Sequence, residues 1–286
     1  MSTPLNTAPV GQPLQPATWS YGPRDCALYA LGVGETDLRY TWEGHARFAV
    51  LPGFAVVPTM AVVMQALAAV GADYRTLVHG EQSLRLHAPI PRKGELTTTA
   101  VIREIQDKGR GAVVLIDTET RIDDTLLFET TWSIFCRGQG GFGGPRGEAE
   151  LLPAAVEGAA PAFDETYHIP AHQALIYRLS GDLNPLHVDP ALAKAVGFER
   201  PILHGLCTFG YALRAAIQHL AGGEPSRVTR FQARFAGVVY PGESVSVVCV
   251  PAKGPRGTTW LFEARVGDRL TLSHGLVEVI PSDAAA

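Results

Sequence analysis

The chain has 286 residues, a net charge of −4 at pH 7 and a hydrophobic fraction of 46%. This length suits two domains of ordinary size, and the composition excludes an intrinsically disordered chain or a small disulfide scaffold. The acidic balance argues against a general nucleic-acid or membrane-surface binder, because both depend on an excess of positive charge. Its four cysteines show no metal-ligand spacing and its start shows no signal-peptide pattern, so we expect a cytoplasmic protein without bound metal.

The first half of the chain is predicted to form helices followed by a run of strands. After an early helical segment, the uncharged stretch 48–72 is interrupted by Pro52, Gly53 and Pro58. This leaves a helix at 59–70, which is too short to span a bilayer and which we expect to be buried. Segments rich in β-branched and aromatic residues then predict strands at 82–89, 96–104, 112–121 and 126–136.

The second half repeats this order after a linker at 138–160 that is rich in Gly and Pro. Tyr29 matches Tyr177 and Gly94 matches Gly242, both at an offset of 148 (177 − 29 and 242 − 94). The repeat predicts an α+β protein of two units, 1–137 and 161–286, each with an antiparallel sheet curled around a central helix. Its predicted elements are an extended segment at 163–169, an apolar helix at 205–220, and strands at 228–236, 244–250, 258–266 and 270–279.

One polar loop in the second half carries residues suited to catalysis. A helix at 171–180 is expected to end at Gly181, and an Asn-Pro turn follows it. Asp182, Asn184 and His187 thus lie on a short loop between two helices. An Asp and a His at this spacing can hold one water between them and act as base and acid, while the Asn amide orients that water.

The start of the second apolar helix is predicted to supply a third group. Its first residue, Gly205, permits the close approach of a substrate. The N–H of this residue has no partner within the helix and carries partial positive charge. We therefore expect it to stabilise an oxyanion, whereas His204 beside it is equally consistent with a capping role.

Each of these residues also has a structural interpretation. Asp182 and Asn184 are consistent with a simple Asx turn, a single histidine is more often structural than catalytic, and Tyr177 is consistent with core packing. The internal repeat favours function, because a trio required for folding would be present in both halves. The first half instead holds other residues at the three equivalent positions: Gly34, Thr36 and Arg39.

The segment Ser180-Gly-Asp-Leu-Asn-Pro-Leu-His187, followed by His204-Gly205, resembles the MaoC-like, type 2 (R-specific) enoyl-CoA hydratases. The segment from Leu77-Val-His-Gly-Glu-Gln82 to Pro89-Ile-Pro91 resembles the N-terminal half of their two-unit members. The resemblance implies a double hot-dog fold and the reversible hydration of trans-2-enoyl-CoA to (R)-3-hydroxyacyl-CoA. It implies Asp182 and His187 as the catalytic pair, with Asn184 assisting and the Gly205 N–H in the oxyanion hole. It further implies an N-terminal unit that houses the acyl chain, no metal or organic cofactor, and a homodimer.

A CoA thioester carries phosphates, so we expect basic residues at the entrance of the site. The candidates are Arg230 and Arg234 on a predicted strand and Lys253 and Arg256 in a predicted turn, although each alone is more consistent with ordinary surface charge. Three other functions stay open: a dehydratase acting in the reverse direction in fatty-acid or polyketide-type synthesis, a thioesterase, and a non-catalytic acyl-CoA binder. The polar loop disfavours the thioesterase, the intact Asp/His pair disfavours the binder, and neither decides the direction.

Overall fold

The computed structural model describes residues 4–148, 150–254 and 258–281. Its first half contains helices α1 (Pro23–Gly32), α2 (Leu38–Thr41) and α3 (Val56–Ala69), and strands β1 (Ala17–Tyr21), β2 (Leu77–Leu86), β3 (Gly94–Asp107), β4 (Gly111–Ile122) and β5 (Thr125–Arg137). Its second half contains helices α4 (Gln173–Tyr177), α5 (Pro190–Ala195) and α6 (Gly205–His219), and strands β6 (Phe163–His168), β7 (Val228–Phe235), β8 (Ser244–Pro251), β9 (Thr259–Val266) and β10 (Arg269–Val279). Each predicted strand and apolar helix overlaps an observed one, and β1 is a strand that the sequence did not predict.

The strands form one ten-stranded antiparallel sheet in the order β1-β3-β4-β5-β2-β7-β10-β9-β8-β6. Strand β2 pairs with β7 in the middle, from Glu81 opposite Arg234 to Arg85 opposite Arg230. The α+β class and the double hot-dog architecture are confirmed, and the two predicted sheets join edge to edge into one. This pairing satisfies backbone N–H and C=O groups that each half alone would leave open along an edge strand.

Helix α6 is enclosed as predicted, with every residue from Leu206 to Leu213 buried. Part of its cover is α1 and the residue that follows it, since an added Cβ at Gly210 would lie 2.3 Å from Cγ1 of Val33. Glycine is therefore needed at this crossing, where the backbone of one half receives a side chain of the other.

Helix α3 differs from this expectation, because it is not enclosed on all sides. Ala61, Met64 and Gln65 are exposed, and 42% of Met64 is accessible. The stretch Pro52–Ala69 has the length and the mean hydropathy (1.6) of a membrane span, yet 61% of it is buried within the protein. That degree of burial is typical of a core helix with one face left open.

The linker between the halves is fixed at its start by a single carboxylate. Asp107 accepts hydrogen bonds from the backbone N–H groups of Gly109 (2.8 Å), Gly141 (2.8 Å) and Gly143 (2.7 Å). These donors lower the pKa of the Asp107 carboxyl to about 2. Further on, Glu150 forms an ion pair with Arg230 on β7, so the linker crosses the sheet towards the second half.

Candidate active site

The polar loop of the second half is ordered by its own hydrogen bonds. Gly181 has φ +124°, a conformation that favours glycine, directly after the 3₁₀ turn Arg178–Ser180. The N–H of Asn184 donates to Oδ1 of Asp182 (3.2 Å), and the N–H of Leu186 donates to Oδ1 of Asn184 (3.0 Å). The Asx-type contacts are thus present. In the described part of the chain, however, the second oxygen of Asp182 and the amide nitrogen of Asn184 have no hydrogen-bond partner.

His187 is buried and held in one tautomer. Its Nδ1 lies 2.9 Å from the carbonyl oxygen of Ile202. Because a carbonyl oxygen can only accept, Nδ1 carries the hydrogen and Nε2 carries the lone pair. Burial lowers the pKa of His187, and the nearby Asp182 carboxylate partly opposes this effect. The ring is therefore neutral near pH 7, with Nε2 available to accept a proton.

His204 connects the loop to the start of α6. It is the N-cap residue of this helix, its Nε2 donates to the carbonyl oxygen of Asp182 (3.2 Å), and its ring stacks on His187 with the centroids 3.6 Å apart. Burial, together with the adjacent His187, lowers the pKa of His204 to about 2. Tyr177 covers the ring of His204 with its centroid 4.9 Å away. His204 is thus a neutral side chain that lies at the N-cap of α6 and also contacts the catalytic loop. It therefore has the structural position predicted for a capping residue and a supporting role in the site.

The three side chains Asp182, His187 and His204 each offer one N or O atom, and these atoms lie within 4.8 Å of one another. A single water can bridge a carboxylate and an imidazole nitrogen over such a distance, since two hydrogen bonds of about 2.8 Å span it. The same three residues are ligand types for a divalent cation. The two rings lie face to face at 26° to each other, and the Nε2 lone pair of His187 is the acceptor that a bridging water would use.

Gly205 is the first residue of α6 and is exposed, although the residues after it are buried. Its N–H lies in the first turn, where the helix offers no acceptor. An added Cβ would lie 2.9 Å from Cδ1 of Phe235, so glycine is required by close packing on one side. The site therefore combines an acid–base pair with an N–H donor on the exposed first residue of a helix.

The predicted basic entrance is not found where it was expected. Arg230 and Arg234 alternate along β7 with Phe231 and Phe235, and the latter two side chains face α6. The arginines project from the opposite face of the sheet, where Arg234 pairs with Glu81 (2.7 Å) and Arg230 pairs with glutamates of the linker and of β10. The structure therefore argues against a CoA-binding role for both, since they are neutralised and point away from the site.

Of the two other basic candidates, Lys253 follows the end of β8. Lys253 is exposed at the end of β8 that is remote from Val239, whose carbonyl pairs with Leu203 just before α6. This position is also unsuited to the entrance of the site. Arg256 lies outside the described residues.

The first half uses its equivalent loop for packing between the halves. Gly34, with φ +72°, lies so close to Tyr211 that an added Cβ would be 2.1 Å from the Tyr211 hydroxyl. Arg39, at the position of His187 in the repeat, pairs with Glu224 of the second half (2.6 Å). These contacts explain why the loop persists in the first half without its polar trio.

Two parts of the site could not be recognised in the sequence. The contact that sets the His187 tautomer is made by the backbone of Ile202, and any residue type supplies such a carbonyl. Phe235 comes next to Gly205 only through the packing of β7 against α6. No residue type at either position signals these contacts.

Comparison with known proteins agrees with this architecture. Two family models divide the chain: the MFE-2 hydratase 2 N-terminal domain matches residues 19–138, and the MaoC like domain matches residues 154–259. Among solved structures, a MaoC-like dehydratase from Phytophthora capsici is similar with a TM-score of 0.87 and 29% identity, over 98% of this chain and 100% of that one. A conserved hypothetical protein from Mycobacterium tuberculosis with a double hot-dog fold has a TM-score of 0.56 at 14% identity, over 94% of this chain and 95% of that one.

Curated relatives give the same assignment. The 3-hydroxyacyl-thioester dehydratase Y of Mycobacterium tuberculosis is 43% identical over 95% of this chain and 97% of its own length. A probable enoyl-CoA hydratase 2 of Dictyostelium discoideum is 37% identical over 95% of both chains. Peroxisomal multifunctional enzyme type 2 of Mus musculus is also 37% identical, but the match spans only 38% of that longer protein. The chain therefore belongs to the MaoC-like hydratases and dehydratases, in the two-domain, double hot-dog form with a hydratase 2 N-terminal domain.

Proposed function

We propose that this protein is a hydro-lyase that adds water reversibly across the 2,3 double bond of trans-2-enoyl-CoA to give (R)-3-hydroxyacyl-CoA. One observation carries the proposal. The Asp182 carboxylate and His187 lie within bridging distance of one water, and His204 of the same cluster is followed directly by Gly205, the exposed first residue of α6. The names of the relatives, enoyl-CoA hydratase 2 and 3-hydroxyacyl-thioester dehydratase, support the same reaction.

The proposed reaction uses His187 as the group that moves the proton. Nε2 of His187 takes one hydrogen of the bridging water as its oxygen bonds to C3, and the electron pair of the double bond moves to the thioester oxygen. The N–H of Gly205 stabilises the resulting enolate. The imidazolium then returns the proton to C2, so atoms and charge balance over the cycle. Asp182 orients the water and stabilises the transient imidazolium, and the free amide nitrogen of Asn184 assists in orienting the water.

The two halves have different roles in this proposal. The second half, 161–286, carries the acid–base pair and the oxyanion donor, whereas the first half, 1–137, houses the acyl chain. The apolar face that α3 leaves exposed, which includes Ala61 and Met64, supports the second role. An acyl chain needs an apolar surface that the protein does not already cover.

We also propose that the reaction depends on the protein's own groups alone. All three chemical requirements are met by side chains and backbone, so we expect full activity after exhaustive dialysis against a chelator, with no metal or organic cofactor. We further propose a cytoplasmic homodimer that binds acyl-CoA, with no nucleic-acid or membrane partner. Sedimentation analysis and cell fractionation would check the assembly and the location.

Dehydration of a 3-hydroxyacyl thioester is the second candidate function. It uses the same groups in reverse, and it is favoured by the name of the relative with 43% identity. The physiological direction depends on the supply of substrate and not on the geometry of the site. Assays in both directions, with crotonyl-CoA and with (R)-3-hydroxybutyryl-CoA, would give the equilibrium and the rates.

The deciding assay follows crotonyl-CoA. Hydration predicts loss of the conjugated absorbance without release of free thiol, whereas a thioesterase would release thiol and a non-catalytic binder would change neither signal. We expect the R product, and an S product would refute the proposed geometry. Asp182→Asn and His187→Gln should each reduce kcat by about 10²–10⁴ with unchanged melting temperatures. Full activity of both variants would refute the assignment of the pair.

A further inference from the structure

An arginine beside the active site has no carboxylate partner in the described part of the chain. Arg200 is exposed and lies in the loop before α6. Its guanidinium donates to the carbonyl oxygen of Pro241 (2.7 Å) and lies over the ring of Tyr240, with Cζ 4.8 Å from the centroid. The side chain is therefore held in place while its charge stays unneutralised.

A second guanidinium, that of Arg269, lies over the same ring and pairs with the nearby carboxylate of Glu243. Cζ of Arg269 is 5.7 Å from the centroid of Tyr240, and this arginine donates to Oε2 of Glu243 (2.5 Å). Glu243 also accepts from the backbone N–H of Tyr240 (2.8 Å). The group Arg200, Tyr240 and Arg269, which we call the rim cluster, thus contains two cations, of which Arg269 is paired with the carboxylate of Glu243.

The rim cluster is connected to the active site through the segment that precedes α6. Arg200 precedes by two residues Ile202, whose carbonyl holds Nδ1 of His187. The next residue, Leu203, donates its N–H to Val239 (2.7 Å), one residue before Tyr240. Two extended residues span at most about 7 Å, so the backbone of Arg200 lies within about 7 Å of Ile202, the residue that positions the His187 ring. Its side chain can meet the part of a substrate that leaves the site.

We propose that the rim cluster binds a phosphate of the CoA part of the substrate, with Arg200 as the principal contact. The inference rests on the proposed function, because it assumes a CoA thioester. The planar guanidinium matches two phosphate oxygens with parallel N–H donors. Arg230 and Arg234 cannot replace it, because both are paired with glutamates on the opposite face of the sheet.

The test compares substrates with and without phosphates. Steady-state constants are measured with crotonyl-CoA, crotonyl-dephospho-CoA and crotonyl-pantetheine for the wild type, Arg200→Gln and Arg200→Lys. Arg75→Gln is the matched control, because Arg75 is an exposed arginine in the first half. We expect Arg200→Gln to raise KM for crotonyl-CoA about 10-fold with kcat nearly unchanged, since it removes one charge-assisted contact. Arg200→Lys should recover part of the loss, and Arg75→Gln should have no effect.

The pantetheine substrate separates phosphate binding from a structural defect. KM for crotonyl-pantetheine should be the same in wild type and Arg200→Gln, and an equal loss with this substrate would refute the proposal. An effect with crotonyl-CoA that disappears with crotonyl-dephospho-CoA assigns the 3′-phosphate, and one that persists assigns the diphosphate. Unchanged KM values for all substrates would also overturn the proposal.

Calorimetric titration with free CoA keeps this inference distinct from the proposed reaction. If the wild type hydrates none of the substrates, the proposed function fails. Binding of CoA that Arg200→Gln weakens about 10-fold would still support the rim cluster. Absence of CoA binding, or equal binding by both proteins, would refute it.

Discussion

A methyl group added at Gly205 should slow the reaction without unfolding the protein. The ideal Cβ position lies 2.9 Å from Cδ1 and 3.1 Å from Cε1 of Phe235, whereas ordinary contacts are at 3.4–4 Å. The Phe235 ring has limited freedom to yield, because its centroid is 4.7 Å from that of His79. Gly205→Ala therefore requires the helix start and the ring to separate by about half an ångström, on the scale at which van der Waals contacts become repulsive.

This displacement should appear mainly in kcat. Loss of one oxyanion donor lowers kcat by about 10²–10³, and a misplacement of about 1 Å costs up to about 100-fold. A shift of half that size should therefore reduce kcat about 10-fold, with little change in KM for crotonyl-CoA. Steady-state kinetics and thermal unfolding of the same preparation would separate the catalytic effect from a loss of stability.

Two further variants make the test specific. Gly205→Ala combined with Phe235→Leu should regain part of kcat, because the shorter side chain leaves room for the methyl group. Gly22→Ala is the matched control, because Gly22 also lies at a helix start but has no atom within 4 Å of its ideal Cβ position. Wild-type kcat in Gly205→Ala, or no recovery in the double variant, would refute the role of this N–H.

Three other predictions follow from ionisation and ion pairing. Burial lowers the pKa of His187, and His187 must be neutral to act as the base. We therefore expect kcat/KM to stay constant as the pH falls through about 6.5 and to decline only at lower pH. A decline in kcat/KM centred at or above about pH 6.5 would contradict this prediction. The folded pKa of Asp107 lies below its ordinary value, so its contribution to stability should be present above about pH 4 and be lost as the pH falls towards 2. Urea unfolding across this range should show a smaller pH dependence for Asp107→Asn than for the wild type, and equal slopes would contradict the prediction. Arg39→Gln should lower the free energy of unfolding by about 1 kcal/mol, since Glu224 is partly solvated, while kcat stays unchanged; a large loss of activity would show that the first-half loop does more than join the halves.

The sequence alone determined the elements and the polar cluster. Apolar helices and alternating strands are local patterns that side-chain periodicity predicts, and matched residues such as Tyr29 and Tyr177 gave the repeat its offset of 148. Asp182, Asn184 and His187 are close in the chain, so their meeting on one loop needed no long-range contact. The family motif in this loop was identified for the same reason, and family membership is confirmed by the relatives.

The tertiary structure decided the contacts between distant segments. The two sheets merge through the pairing of β2 with β7, and one face of α3 stays exposed. Both features depend on how the halves dock, which local periodicity does not encode. Arg230 and Arg234 could not be excluded as entrance candidates from the sequence, because sheet face and ion pairing follow from strand register and from partners far along the chain. His204 illustrates both contributions. Its position directly before α6 could be predicted from the sequence. Its stacking on His187 depends on the tertiary structure, which brings the start of α6 and the polar loop together.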